Sequence, residues 1–71
     1  MADKALQKRI GQRLRAARKE RGLSFAGMCR LGFDTGHCQK LEIGAYDMRV
    51  STLIRLANAL GVEPGDILNG L

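Results

Sequence analysis

The sequence predicts an all-α fold, one bundle of five short helices. Three observations carry this. Apolar residues recur at helical spacing along the whole chain, and no alternating β period is present. Glycines stand at the ends of the apolar stripes, at Gly22, Gly32, Gly44, Gly61 and Gly70, where a helix is closed by a left-handed residue. Aromatics are confined to Phe25, Phe33 and Tyr46, with no Trp, so Leu, Ile, Ala and Met must build the core, which suits helices better than a sheet.

The first helix is read over residues 3–21. Asp3 caps its start, and Leu6, Ile10, Leu14 and Ala17 form the i, i+4, i+8, i+11 stripe. Arg18, Lys19 and Arg21 suit its negative end, and Gly22 stops it. Leu23 is a buried link. Ser24 then caps a second helix, 25–31, with Met28 and Leu31 facing the core and Cys29 joining them. Gly27 inside that helix costs about 1 kcal/mol relative to Ala, so it marks either close approach of another backbone or a weak helix.

The third helix, 34–43, lies between Gly32 and Gly44. Asp34 sits at its N-cap position, and Phe33, Cys38 and Leu41 lie close to one face. Thr35, His37, Gln39, Lys40 and Ile43 occupy the other faces. A polar loop from Ala45 to Arg49 leads to a fourth helix, 50–60, with Val50, Leu53, Leu56, Ala57 and Leu60 on one side. Val62 is a second buried link. Pro64 opens a fifth helix, 64–69, with Asp66 in its first turn and Ile67 and Leu68 as its apolar contacts. No repeat, linker or low-complexity stretch divides residues 1–71, so the whole is read as one domain.

The chain has 71 residues, 45% of them hydrophobic, which is enough for one core. A domain of that size buries only about 60% of its unfolded surface and depends on good packing. Net charge is +5 and the pI is near 9.9. Seven of the twelve basic residues are Lys8, Arg9, Arg13, Arg15, Arg18, Lys19 and Arg21. Such a basic domain favours a polyanionic partner, unless these are solvated helix charges that only confer solubility. Residues 1–10 are charged and no apolar signal region follows. No apolar run approaches the ~18 residues needed to cross a bilayer. Two cysteines do not make a disulfide scaffold, and a cytoplasmic protein is expected. A glycine-rich phosphate loop, a second His and an acidic cluster are all lacking, so an enzyme is not expected. His37 has neither CxxC nor HxxxH spacing around it, so no metal and no cofactor are expected.

A short helix, a glycine turn and a second helix with a polar outer face make the helix-turn-helix pattern. The run Ile10-Gly11-Gln12-Arg13-Leu14-Arg15-Ala16-Ala17-Arg18-Lys19-Glu20-Arg21-Gly22-Leu23-Ser24 resembles the opening of lambda-repressor-like helix-turn-helix domains, the Cro/Xre family. Gln39-Lys40-Leu41-Glu42-Ile43-Gly44 resembles that family's Ile-(Ser)-Lys/Arg-Ile/Leu-Glu-x-Gly pattern. Leu53-Ile54-Arg55-Leu56-Ala57-Asn58-Ala59-Leu60-Gly61-Val62 resembles its fourth helix, and Asp66-Ile67-Leu68 its closing one. The likeness covers residues 8–69.

The resemblance implies a DNA-binding transcriptional regulator, usually dimeric, with the third helix in the major groove and two half-sites about one helical turn apart. It puts Thr35, Gly36, Gln39 and Lys40 at base edges, with His37 beside them. Ser24, Phe25, Ile43, Ala45, Tyr46 and Arg49 fall near phosphates. Lys40 suits guanine O6/N7 or a phosphate, and Gln39 suits adenine. Arg18 would pair with Glu42. Cys29 and Cys38 would lie where the second helix meets the third, as a redox-active thiol pair or as two small buried hydrophobes. The tail Ile67, Leu68 and Leu71 would be a dimer contact or would fold back on the monomer.

The sequence departs from the family pattern at three phosphate-facing positions. Phe25 replaces Gln, Ile43 replaces Arg or Asn, and Ala45 replaces Lys or Arg, each removing a donor. Leu23–Gly32 is also one residue short, so either Met28 or Cys29 takes the small-residue slot between the two helices. An alternative reading follows, in which Phe25, Ile43, Ala45 and Tyr46 form an apolar patch of a protein–protein interaction module, antitoxin-like or adaptor.

Overall fold

The computed structural model describes residues 3–71. Five helices follow in order: α1 (Lys4–Glu20), α2 (Phe25–Arg30), α3 (Thr35–Glu42), α4 (Val50–Leu60) and α5 (Pro64–Leu68). The described residues contain no strand. Each helix lies within one residue of its expected ends, and α4 matches at both. Asp34 is the N-cap of α3, as expected.

Local chemistry explains the ends. Asp3 accepts the Leu6 N–H, Ser24 the Gly27 N–H and Asp34 the His37 N–H, each at 3.0 Å. Glu63 and Asp66 form a reciprocal capping box ahead of α5. The first four helices close alike: the N–H just past the glycine bonds a carbonyl five residues back, as in Leu23 to Arg18 at 3.0 Å.

The core is built from Leu14, Met28, Cys38, Leu41, Leu53, Leu56, Ala57, Leu60 and Ile67. Helix α1 packs on α3, α4 and α5, while α2 packs on α3. Ile67 turns into this core, so the tail folds back on its own chain at that residue, while Leu68 stays exposed.

Four expectations about burial are corrected. On α1 the buried line is Gln7, Gly11, Leu14 and Arg18, one step round from the apolar stripe, and Leu6 is exposed. The reason is at Gly11, where an added Cβ would lie within 2.7 Å of the Glu42 carbonyl carbon. Helix α1 rests on the backbone at the end of α3, and a residue with no side chain permits it. On α2, six residues long, only Gly27 and Met28 are buried, and both Cys29 and Leu31 are exposed. Met28 therefore takes the slot facing α3. Gly27 meets the Leu23 side chain, at 3.1 Å from a built Cβ, and not another backbone. Val50, the first residue of α4, projects past the bundle and is 71% exposed.

Candidate nucleic-acid interface

Helix α3 has two unlike faces. Cys38, Leu41 and Glu42 are buried, whereas Gly36, His37, Gln39 and Lys40 are exposed and Thr35 is half-buried. The four residues assigned to base edges, Thr35, Gly36, Gln39 and Lys40, and His37 beside them thus all lie on α3, with Thr35 the least exposed. Basic Lys40 near the end of α3 also suits its negative pole.

The helix is gripped at both ends. At its C-terminal end Glu42 receives Arg18 through two hydrogen bonds, Nε to Oε2 at 2.7 Å and Nη2 to Oε1 at 3.1 Å. Arg18 Nη1 also donates to the Leu23 carbonyl at 2.8 Å, and its guanidinium lies 4.1 Å from the Phe25 ring centroid. One side chain of α1 thus holds the link, the start of α2 and the end of α3. Phe25 is half-buried under that guanidinium, which explains an aromatic residue at this position. Just beyond α3, Gly44 has φ of 78° and sits against the Lys8 backbone, 2.7 Å from its Cα to a built Cβ. At the N-terminal end, Arg55 of α4 stands over Phe33 at 5.1 Å.

The loop after α3 returns over its outer face. Lys40 Nζ donates to Tyr46 Oη at 3.2 Å, and the His37 and Tyr46 rings stack at 5.9 Å with 29° between planes. Arg49, the cap residue of α4, is exposed beside a depression that it lines with His37, Asp47, Met48 and Thr52. Ser24 uses its oxygen to cap α2, which leaves its hydroxyl proton for another acceptor.

Some of the basic charge of α1 has internal work. Arg9 donates to the Gly70 carbonyl at 3.2 Å, and Arg13 to those of Ile67, at 3.4 Å, and Asn69. These side chains cap the end of α5. With buried Arg18, three of the basic residues read as candidates for a polyanion have partners within the chain.

The cysteines are both free, Cys29 exposed and Cys38 in the core. They do not share one environment, and the expected burial of Cys29 is not found. Burial pushes the Cys38 thiol above its ordinary value, reinforced by the charges of Glu42 and Asp34 and opposed by Arg18.

Sequence reading missed Gly11, the stack of Phe25 on Arg18, and the Arg55–Phe33 contact. Phe25 carried a signal, as a departure from the family pattern. Arg55 and Phe33 lie on separate elements, and no spacing joins them.

None of the described helices is long and apolar enough to cross a membrane. No group of three or more His, Cys, Asp or Glu among the described residues is arranged to hold a metal ion. Comparison with curated proteins and with solved structures gave no match. A family model described as a helix-turn-helix domain matches residues 9–68, which takes in all of α2 to α5 and most of α1. The chain, with α2 and α3 as its two-helix motif, belongs to the helix-turn-helix domain family.

Proposed function

We propose that this protein is a sequence-specific, double-stranded-DNA-binding transcriptional regulator, acting as a cytoplasmic homodimer on a palindromic operator. The observation that carries the reading is the solvent-exposed outer face of α3, with Gly36, His37, Gln39 and Lys40 exposed on a helix held at both ends. That helix enters the major groove. Thr35, Gln39 and Lys40 read base edges there, and Ser24, Arg49 and the α3–α4 loop lie along the phosphates. The protein acts by occupying its operator or by recruiting another factor. The reading involves no catalysis, cofactor, membrane or small-molecule substrate.

Selection of bound sites from random duplexes, followed by anisotropy titration of the best site, tests this. Binding in the nanomolar range or tighter is expected, falling steeply between about 50 and 200 mM salt because the release of phosphate counterions is less favourable at higher salt. Absence of binding to any duplex at low salt overturns it.

A second reading, a protein–protein interaction module, draws on the 64% exposure of Ile43 beside Ala45 and Tyr46. Phe25 is withdrawn from that patch by its stack on Arg18, which shrinks the surface such a partner would cover. Lys40→Ala separates the two: lost DNA binding supports the first reading, and retained partner binding the second.

A further inference from the structure

We infer that Tyr46 is the positioning residue of the reading helix: it fixes Lys40 and His37 in place and thereby sets which base pair Lys40 selects. This rests on the DNA-binding reading above and gives Tyr46 a role other than the phosphate contact assigned to its position by resemblance.

Three contacts converge on one ring. The Tyr46 hydroxyl oxygen accepts from Lys40 Nζ at 3.2 Å. The same ammonium lies 5.4 Å from the ring centroid. The His37 ring stacks on it at 5.9 Å. His37 and Lys40 are one turn apart on the exposed face of α3, so Tyr46 spans two successive reading positions.

The loop that carries Tyr46 is itself tethered. The Ala45 N–H bonds the Lys40 carbonyl at 2.9 Å, and Gly44 packs on the Lys8 backbone. On the far side Met48 packs against the core. A rigid two-torsion ring on a held loop is a good jig for a flexible lysine. Lysine is otherwise a point charge on a four-carbon stem, as able to meet one base pair as the next. Fixing it before DNA arrives removes an ordering cost from the correct complex and withholds the side chain from wrong ones. A phosphate contact has neither effect, because phosphates are alike at every sequence.

A double-mutant cycle on the full chain tests this, using Tyr46→Phe and Lys40→Met. The probe is the selected operator, together with duplexes changed at the base pair whose preference Lys40→Met abolishes. Tyr46→Phe keeps the ring that lines the groove with Ile10, Met48 and Val50, so its unfolding midpoint stays at the wild-type value. Its affinity for the selected site is expected to fall about threefold to tenfold, with a smaller loss on the changed duplexes. In the Lys40→Met background, Tyr46→Phe has no further effect.

An equal loss on every duplex that persists in the Lys40→Met background assigns Tyr46 to a phosphate and overturns the inference. So does no loss at all. In both cases the regulator reading stands. A wild-type chain that binds no duplex overturns both together.

Discussion

Arg18 and Glu42, twenty-four residues apart in sequence, meet through two hydrogen bonds with both side chains only 7% exposed. The guanidinium matches the carboxylate as a planar fork, which a lysine ammonium does not reproduce. Its third bond, to the Leu23 carbonyl, ties the same group to the turn before α2. A buried ion pair is weak evidence for net stability. Its place here, at the joint of three helices, makes it a register device: it decides where α3 sits relative to α1.

Removing one partner therefore strands the other, and the two losses are not additive. Glu42→Ala leaves a buried guanidinium uncompensated and is expected to lower unfolding free energy by about 3 kcal/mol or more. Arg18→Met with Glu42→Leu together are expected to lose less than the sum of the single changes. Phe25→Leu, which takes away the stacked ring, is expected to cost about 1 kcal/mol. Urea unfolding of Glu42→Ala, Arg18→Met, Glu42→Leu, the Arg18→Met/Glu42→Leu double and Phe25→Leu checks all three statements.

The pair also shows what the sequence made legible. Helix positions followed from caps and glycines, which act over three or four residues, and a reader of the chain sees that range directly. The pairing itself came from resemblance, because no local rule links residue 18 to residue 42. The burial line on α1 was misread because it runs through Gln7, Gly11 and Arg18, which hydropathy scores as outward-facing. Those residues are inside because of what lies opposite them: backbone at Gly11 and a carboxylate at Arg18. On α3 the exposure of His37, Gln39 and Lys40 was legible from helical spacing, while Thr35 is half-buried. The organisation of that face around Tyr46 was not legible, because it depends on how a loop returns.

Gly11 and Gly65 are expected to respond oppositely to alanine. Both are helical, and an open helical site gains from Gly→Ala through reduced freedom of the unfolded chain. A Cβ on Gly65 meets nothing within 4 Å, so Gly65→Ala is expected to stabilise by about 0.5 kcal/mol. A Cβ on Gly11 falls 2.5 Å from the Leu41 carbonyl oxygen, and backbone does not step aside. Gly11→Ala is expected to destabilise by about 2 kcal/mol as α1 is pushed off α3. Thermal unfolding of the two variants gives the comparison, and a stabilised Gly11→Ala would refute the packing described.

The two thiols are expected to differ in reactivity. Cys29 is exposed and should react with a thiol reagent at once, whereas Cys38 should react only as the chain opens. The raised Cys38 pKa also sets a sign for pH dependence. The folded thiol keeps its proton to higher pH than the unfolded one, so the unfolded state binds fewer protons in the window between them. Stability is then fully present below the ordinary thiol value of 9.0 and falls as pH rises beyond it. Cys38→Ala should remove that alkaline component while keeping the rest of the profile. Unfolding midpoints measured across alkaline pH for both proteins decide the matter.

Arg13 and Lys40 are expected to separate structural from DNA-facing charge. Arg13 donates to the Ile67 and Asn69 carbonyls, so its charge serves the end of α5. Arg13→Ala is expected to cost about 1 kcal/mol of stability. It neutralises no phosphate, so the dependence of log affinity on log salt should keep its wild-type slope. Lys40→Ala should instead act on DNA recognition. Its side chain is exposed and bonded only to Tyr46 among the described residues, so stability should hold. Discrimination at the base pair it reads should fall by about 1–3 kcal/mol, whereas a loss equal on every duplex with the salt slope lowered by about 1 would place Lys40 at a phosphate. A changed slope for Arg13→Ala, beside an unchanged fold, would move that residue from the α5 cap to the DNA surface.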